Sequence, residues 1–142
     1  MAESATTTSK PRVLVADDEQ VIANTLAIIL NQAGFEARAV FSGEKAVESL
    51  DTFQPDMLIS DVIMTGISGI DLAIHISNSV PTCKIILFSG QAQTANLLAE
   101  AEERGYRFEL LQKPVPPQVI LQHLSEYLTS LKEMGGMEML EG

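Results

Sequence analysis

Residues suited to chemistry follow four separate apolar segments of this sequence. They are an acidic triplet, a single aspartate, a serine before glycine and a lysine before proline: Asp17-Asp18-Glu19, Asp61, Ser89-Gly90 and Lys113-Pro114. Neighbouring carboxylates repel one another, and a hard divalent cation such as Mg²⁺ relieves that repulsion. The lysine offers a positive charge to a phosphate oxygen, and the serine offers a hydroxyl donor. A carboxylate nucleophile, a metal, a lysine and a hydroxyl together predict a site for phosphoryl transfer.

Each of these residues also has an ordinary structural explanation. An aspartate pair before a helix is often an N-cap that complements the helix dipole. Asp61 is compatible with a turn before Gly66, and Lys113 with a solvated charge at the end of a strand. The chemical interpretation gains weight because each residue follows a different predicted strand. Ligand sites of open α/β sheets form beyond the carboxyl ends of the strands.

Five strands and five helices alternate along the sequence and must position these residues. Near-continuous apolar runs are typical of parallel strands buried on both faces, and the run 36–41, with two charges, is predicted at an edge. The predicted strands are 12–16, 36–41, 56–60, 84–89 and 108–112. Two helices are predicted at 19–33 and 93–104, and three more are predicted after Ser42, from Ser68 and after Pro116-Pro117. Because crossovers between parallel strands are right-handed, this α/β chain is expected to form a doubly wound (βα)5 sheet with helices on both faces.

The composition argues against several other classes of function. The formal net charge of −10 disfavours nucleic acid or an anionic membrane as a direct partner. No apolar run approaches the ~20 residues of a membrane span, and the first residues lack the pattern of a secretory signal. Cys83 is the only cysteine, so no intrachain disulfide can form. A cytoplasmic protein is expected, with one domain at 11–132, a disordered segment at 1–10 and a flexible tail at 133–142.

The sequence resembles the response regulator receiver domain from about Pro11 to Lys132. The resemblance depends on four motifs in the order and spacing of that family: VLVADDE, DMLISDVIM with GISGIDL, IILFSG and LLQKP. It implies a flavodoxin-like, five-stranded parallel sheet of order 2-1-3-4-5. It also implies that a phosphoryl group is bound by Ser89 and Lys113.

The same resemblance implies that Asp61 is the phosphoacceptor. Asp17 and Asp18 are then expected to hold Mg²⁺, together with Asp61 and the backbone carbonyl of Ile63. The implied donor is a histidine kinase or a histidine phosphotransfer protein. The implied output surface, formed by the fourth helix, the fifth strand and the fifth helix, binds a target protein. Such a chain is a signalling domain that assists only its own phosphorylation and dephosphorylation, and not an enzyme.

Three positions depart from the pattern of the family. Leu110, three residues before the lysine, replaces an aromatic residue that usually turns inward on activation. Thr65 replaces a proline that is common four residues after the phosphoacceptor, and Ile63 is apolar where polar residues are frequent. Leu110 lacks the ring of the aromatic switch, but none of the three removes a member of the chemical site. The Lys113-Pro114 bond is often cis in the family.

Two alternative functions compete with this interpretation. A receiver fold that no longer uses phosphate would act as a docking or dimerisation module; Leu110 is compatible with it, and the complete acidic set argues against it. A small phosphatase with an aspartate nucleophile usually has a second aspartate two residues further on, where this chain has Ile63. His75, His123 and Cys83 are interpreted as structural residues and not as ligands.

Overall fold

Five parallel strands form the sheet that carries the site. The computed structural model describes residues 10–90 and 94–141, with side chains for 10–90 and 95–131. The strands are β1 Arg12–Ala16, β2 Glu36–Val40, β3 Met57–Asp61, β4 Lys84–Ser89 and β5 Glu109–Gln112. Their order is β2-β1-β3-β4-β5, which confirms the predicted doubly wound, flavodoxin-like topology. The predicted strand limits differ by no more than one residue, and the third strand ends on Asp61 itself.

Five helices connect and follow the strands. They are α1 Gln20–Gln32, α2 Gly43–Ser49, α3 Gly69–Ser79, α4 Thr94–Glu103 and α5 Pro117–Glu141. The hydroxyls of Ser42 and Ser68 cap α2 and α3, because they accept hydrogen bonds from the backbone N–H groups of Lys45 (3.0 Å) and Asp71 (3.1 Å). The helix starts predicted at these two serines are therefore confirmed.

The two ends of the chain compare differently with the sequence-based expectations. Residues 1–9 of the segment predicted to be disordered lie outside the described residues, as does the predicted start of the fourth helix at Gln93. At the other end, α5 continues as helix to Glu141, whereas the sequence predicts a flexible tail after Lys132. The methionine, glutamate and leucine residues of this segment favour helix and continue it across Gly135-Gly136.

Two apolar cores lie on opposite faces of the sheet, because successive side chains of a strand point to opposite sides. One core joins Leu14 and Leu58 to helices α2, α3 and α4, and the other joins Val13 and Ile59 to α1 and α5. Helices therefore cover both faces, as predicted. Burying one such side chain contributes roughly 1.5–3 kcal/mol, so the inner strands form a rigid support for the residues at their carboxyl ends. None of the described helices is long and apolar enough to cross a membrane.

Candidate functional site

Asp61 is the last residue of β3, and the backbone around it is fixed on several sides. The N–H of Val62 donates to the carbonyl of Phe88 (2.9 Å), and the hydroxyl of Ser60 donates to the carbonyl of Asp61 (2.9 Å). Gly69, at the start of α3, lies so close to the Asp61 carbonyl that an added Cβ would overlap it. Asp61 is 9% exposed, so its carboxylate occupies a defined place with a small opening to solvent.

Asp17 and Asp18 follow β1 and bring two further carboxylates to Asp61. One oxygen of each of the three lies within 4.8 Å of the others. Asp17 is 3% exposed, and its Oδ1 accepts a hydrogen bond from the N–H of Glu19 (2.9 Å), whereas Asp18 is exposed. Burial raises the pKa of Asp17; the hydrogen bond from Glu19 opposes this change, and the negative charge of Asp61 adds to it. The structure therefore brings the three predicted acidic residues together.

Lys113 follows β5 and directs its ammonium group into this acidic cluster. Its Nζ lies 3.1 Å from Oδ2 of Asp61 and 3.9 Å from Oδ2 of Asp17. Its N–H donates to the carbonyl of Ser89 (2.9 Å), and its peptide bond to Pro114 is cis, as the resemblance implies. Burial lowers the pKa of Lys113, but the hydrogen bond to Asp61 and the charges of the two aspartates outweigh burial and raise it. Lys113 is therefore charged at neutral pH and offsets part of the negative charge.

Ser89 and Ile63 occupy the two remaining predicted site positions. Phe88 in β4 is the register partner of Asp61, so Ser89 lies one residue further toward the site, and it is 3% exposed. The Ile63 side chain is 41% exposed. The contact of Ser89 with a phosphoryl group and the contact of the Ile63 carbonyl with Mg²⁺ stay predictions.

The chemistry of the cluster fits a Mg²⁺ ion. Three carboxylates and one ammonium group leave an excess of negative charge when all are ionised. Mg²⁺ prefers oxygen ligands and commonly combines one or two carboxylates with water and phosphate oxygens. Asp17, Asp18 and Asp61 provide such oxygens at one end of the sheet. These residues would hold the ion, and the ion would neutralise charge on an incoming phosphoryl group.

Two contacts beside the site are not indicated by the sequence. The backbone N–H and the hydroxyl of Thr65 both donate to Oδ2 of Asp18, at 3.0 and 3.2 Å. The N–H of Ile67 donates to Oε2 of Glu44 at 3.1 Å. The paired positions are 47 and 23 residues apart. No local sequence pattern carries such a signal, because only the folded chain brings these residues together.

Leu110, where the family usually has an aromatic residue, is partly buried in β5. It packs against the apolar core that contains Leu14 and Leu58. Tyr106 and Phe108 stand nearby along the chain and stack on each other, with ring centroids 6.2 Å apart. The position thus belongs to the core on the side of α4, where a movement of β5 would be transmitted by repacking of side chains.

The residues interpreted as structural lie away from the acidic cluster. His123 Nδ1 is 2.7 Å from Oε2 of Glu109, whose Oε1 is 3.0 Å from Nζ of Lys84. Glu109 and Lys84 begin their strands, so this group lies at the amino ends of the strands, whereas the site lies at their carboxyl ends. His75 is exposed on α3. Cys83 is partly buried, and burial raises its pKa to about 12, so its thiol is unreactive at neutral pH.

Comparisons with known proteins agree with the geometry. The response regulator receiver domain family matches residues 13–125. The chemotaxis protein CheY of Thermotoga maritima is 32% identical over 116 residues, covering 81% of this chain and 95% of that protein. The DNA-binding response regulator MtrA of Mycobacterium tuberculosis is 25% identical over 116 residues, covering 80% of this chain. This chain spans about half the length of MtrA (49%), and nearly the full length of CheY.

Solved structures show the same fold. A CheY-like receiver domain protein from Methanospirillum hungatei superposes with a TM-score of 0.78 at 21% identity, covering 89% of this chain and 99% of that one. A putative response regulator from Chloroflexus aurantiacus has a TM-score of 0.71 at 28% identity, with coverage of 85% and 99%. With the family match over 13–125 and the relative at 32% identity, the chain belongs to the receiver domain family of two-component response regulators.

Proposed function

We propose that this chain accepts a phosphoryl group on Asp61 from the phosphohistidine of a histidine kinase or histidine phosphotransfer protein. The observation that carries the proposal is the convergence of one lysine and two further carboxylates on the Asp61 carboxylate. Lys113 approaches it to 3.1 Å. Asp17, Asp18 and Asp61 would hold Mg²⁺, which would supply the charge neutralisation that phosphoryl transfer needs.

The transfer exchanges one bond to phosphorus for another and needs no further reactant. A carboxylate oxygen of Asp61 forms a bond to phosphorus while the bond from phosphorus to the donor's imidazole nitrogen breaks. The imidazole leaves with the bonding electron pair and is neutral, because its other nitrogen carries a proton. Lys113 shifts from the Asp61 carboxylate to a phosphoryl oxygen, and Ser89 donates its hydroxyl to another. The loose transition state needs mainly alignment and neutralisation, so an unactivated carboxylate suffices.

A groove beside the site offers a surface for the donor, which must bring its histidine to Asp61. The groove has a volume of about 530 Å³, lies between α1 and the start of α5, and reaches Lys113. Val21 and Ile22 on α1 are 78% and 41% exposed at its border. Apolar surface of this kind suits the apolar face of a partner helix. We therefore place the contact with the donor on α1 and the loop after β5.

The output is a change in protein–protein contacts. The acyl phosphate carries roughly −1.5 to −2 charge units, but it replaces the −1 charge of the Asp61 carboxylate, so the anionic pocket gains about −0.5 to −1 unit. Ser89 turns toward the acyl phosphate, so that a target protein binds the face formed by α4, β5 and α5. The net charge of −10 favours protein partners over nucleic acid or an anionic membrane. We place the chain in the cytoplasm with its donor, as a signalling domain and not as an enzyme.

Leu110 favours a second candidate function. Because it packs against the core in place of an aromatic residue, the usual ring movement is absent from this position. The chain would then be a docking or dimerisation module that binds its partner without phosphate. In that case the acidic pocket would have no part in the output.

Intact mass spectrometry after incubation with acetyl phosphate tests the proposal. We expect one phosphoryl adduct in the wild type with Mg²⁺, and none with Asp61→Asn or with Mg²⁺ removed by a chelator. Asp51→Asn changes an exposed aspartate away from the site and should keep the adduct. An adduct that persists in Asp61→Asn would refute the assignment. No adduct in a wild type that binds Mg²⁺ would favour the docking module.

A further inference from the structure

Thr65 binds the one exposed carboxylate of the acidic cluster through two hydrogen bonds. Its backbone N–H and its hydroxyl both donate to Oδ2 of Asp18, at 3.0 and 3.2 Å. Thr65 belongs to the loop between β3 and α3, and Asp18 follows β1. The two bonds therefore connect the segment that follows β1 to the loop that follows β3.

The three carboxylates are fixed by different means. Asp17 and Asp61 are 3% and 9% exposed, so the surrounding structure restricts their rotamers. Asp18 is exposed, and packing does not hold it in this way. An exposed aspartate samples several rotamers, and an ion that needs one of them must bear the cost of ordering it. In the orientation that Thr65 holds, an oxygen of Asp18 lies within 4.8 Å of the other two carboxylates.

We propose that Thr65 is a positioning residue that orients Asp18 for Mg²⁺ and so raises the affinity of the site for the ion. The inference rests on the proposed function, because it takes the cluster to be a Mg²⁺ site. Both hydrogen bonds use Oδ2, so Oδ1 takes part in neither and keeps its lone pairs for a cation. Partners that orient metal ligands in this way typically contribute about 10–100-fold to metal affinity.

The loop that carries Thr65 is itself held in place. The N–H of Ile67 donates to Oε2 of Glu44 on α2 (3.1 Å), so the loop is anchored from a second side. The family pattern commonly has proline at the position of Thr65. Proline has neither an N–H nor a hydroxyl, and it makes neither bond to Asp18. The two hydrogen bonds to Asp18 therefore depend on the threonine that this particular chain has at position 65.

Three substitutions separate the contributions of the two bonds. Thr65→Ser keeps both donors, Thr65→Val keeps the shape and the N–H but loses the hydroxyl, and Thr65→Pro loses both. The measurement is the Mg²⁺ dissociation constant by isothermal titration calorimetry, without any phosphodonor. We expect Thr65→Ser to bind Mg²⁺ as tightly as the wild type, Thr65→Val about threefold more weakly and Thr65→Pro about tenfold more weakly. Tenfold is the low end of the 10–100-fold contribution given above, because Asp18 is exposed. Thr129→Val, an exposed threonine on α5, should leave the affinity unchanged.

A double-mutant cycle distinguishes positioning from a general loss of structure. If Thr65 acts through Asp18, Thr65→Val should have no further effect on Mg²⁺ affinity in an Asp18→Asn background. Thermal unfolding without Mg²⁺ checks that each variant folds. Val and Pro variants that bind Mg²⁺ as tightly as the wild type would overturn this inference and leave the proposed function standing. A wild type that does not bind Mg²⁺ would overturn both.

Discussion

Replacing Gly69 by alanine is expected to disturb both the fold and the site, because no space exists for a methyl group there. A Cβ at this position would overlap the carbonyl oxygen of Asp61, and would stand 2.9 Å from the Asp61 carbonyl carbon and from Cα of Val62. These are backbone atoms of β3 and of the residue that follows it, next to the Asp61 carboxylate. They cannot turn aside as the end of a side chain does, so the start of α3 and the end of β3 must move apart.

The expected cost follows from this overlap. Forcing an extra methyl group into a tightly packed position costs about 1–3 kcal/mol. Alanine regains up to about 1 kcal/mol of helix propensity over glycine, and less at the first position of the helix. A net loss of about 1–2 kcal/mol remains. With a slope of about 2 kcal/mol per M urea, the midpoint of unfolding falls by about 0.5–1 M.

Urea unfolding followed by circular dichroism measures the stability, and the rate of adduct formation with acetyl phosphate measures the site. We expect the rate to fall at least about tenfold, because a shift of about 1 Å in a reacting group can cost as much as 100-fold. The matched control is Gly90→Ala, where the added Cβ meets Cβ of Lys113 at an ordinary 3.7 Å. It should stay within about 0.5 kcal/mol of the wild type. If Gly69→Ala is as stable as this control, the close approach of α3 to Asp61 is wrong.

Three further predictions concern single residues. Burial and the charge of Asp61 raise the pKa of Asp17 above its usual 3.8, despite the hydrogen bond from Glu19. Because the folded state then holds its proton more tightly than the unfolded state does, the fold without Mg²⁺ loses stability as the pH rises through that raised pKa. Asp17→Asn should therefore increase the free energy of unfolding at pH 7, and equal or lower stability in thermal unfolding would contradict this. Cys83, whose pKa burial raises to about 12, should react with a thiol reagent at pH 8 at least about tenfold more slowly than free cysteine; labelling at the free rate would show that it is not buried. Ser68→Ala should cost about 1 kcal/mol in urea unfolding through loss of the cap on α3, and an unchanged midpoint would mean that water replaces the cap.

Short-range signals in the sequence were sufficient to predict most of the fold. Ser42 and Ser68 mark helix starts because each hydroxyl accepts a hydrogen bond from the backbone N–H three residues later. Gly34 marks the end of α1 because its φ of 104° is unfavourable for residues with a Cβ. The sequence does not predict the continuation of α5 to Glu141, because apolar periodicity is lost after Lys132.

The site was predictable for a different reason. Parallel strands have their carboxyl ends at the same end of the sheet, so Asp61 and Lys113 meet although 52 residues separate them. The bonds from Thr65 to Asp18 depend on the exact path of a loop, and the contact of His123 with Glu109 depends on how α5 packs against the sheet. Neither has a periodic or motif-like signature, and both needed the folded structure.

The order of the strands also makes the site depend on the assembly of strands from both ends of the chain. Asp17 lies beside the first strand of the chain and Lys113 beside the last, and β5 stands at the edge of the sheet. Pairings between distant segments close large loops and form slowly compared with helices and local turns. A partly folded copy therefore has every residue of the site but not the site itself. Under the proposed function, acceptance of phosphate therefore requires that β1, β3, β4 and β5 are assembled, because the residues of the site stand at the ends of these four strands.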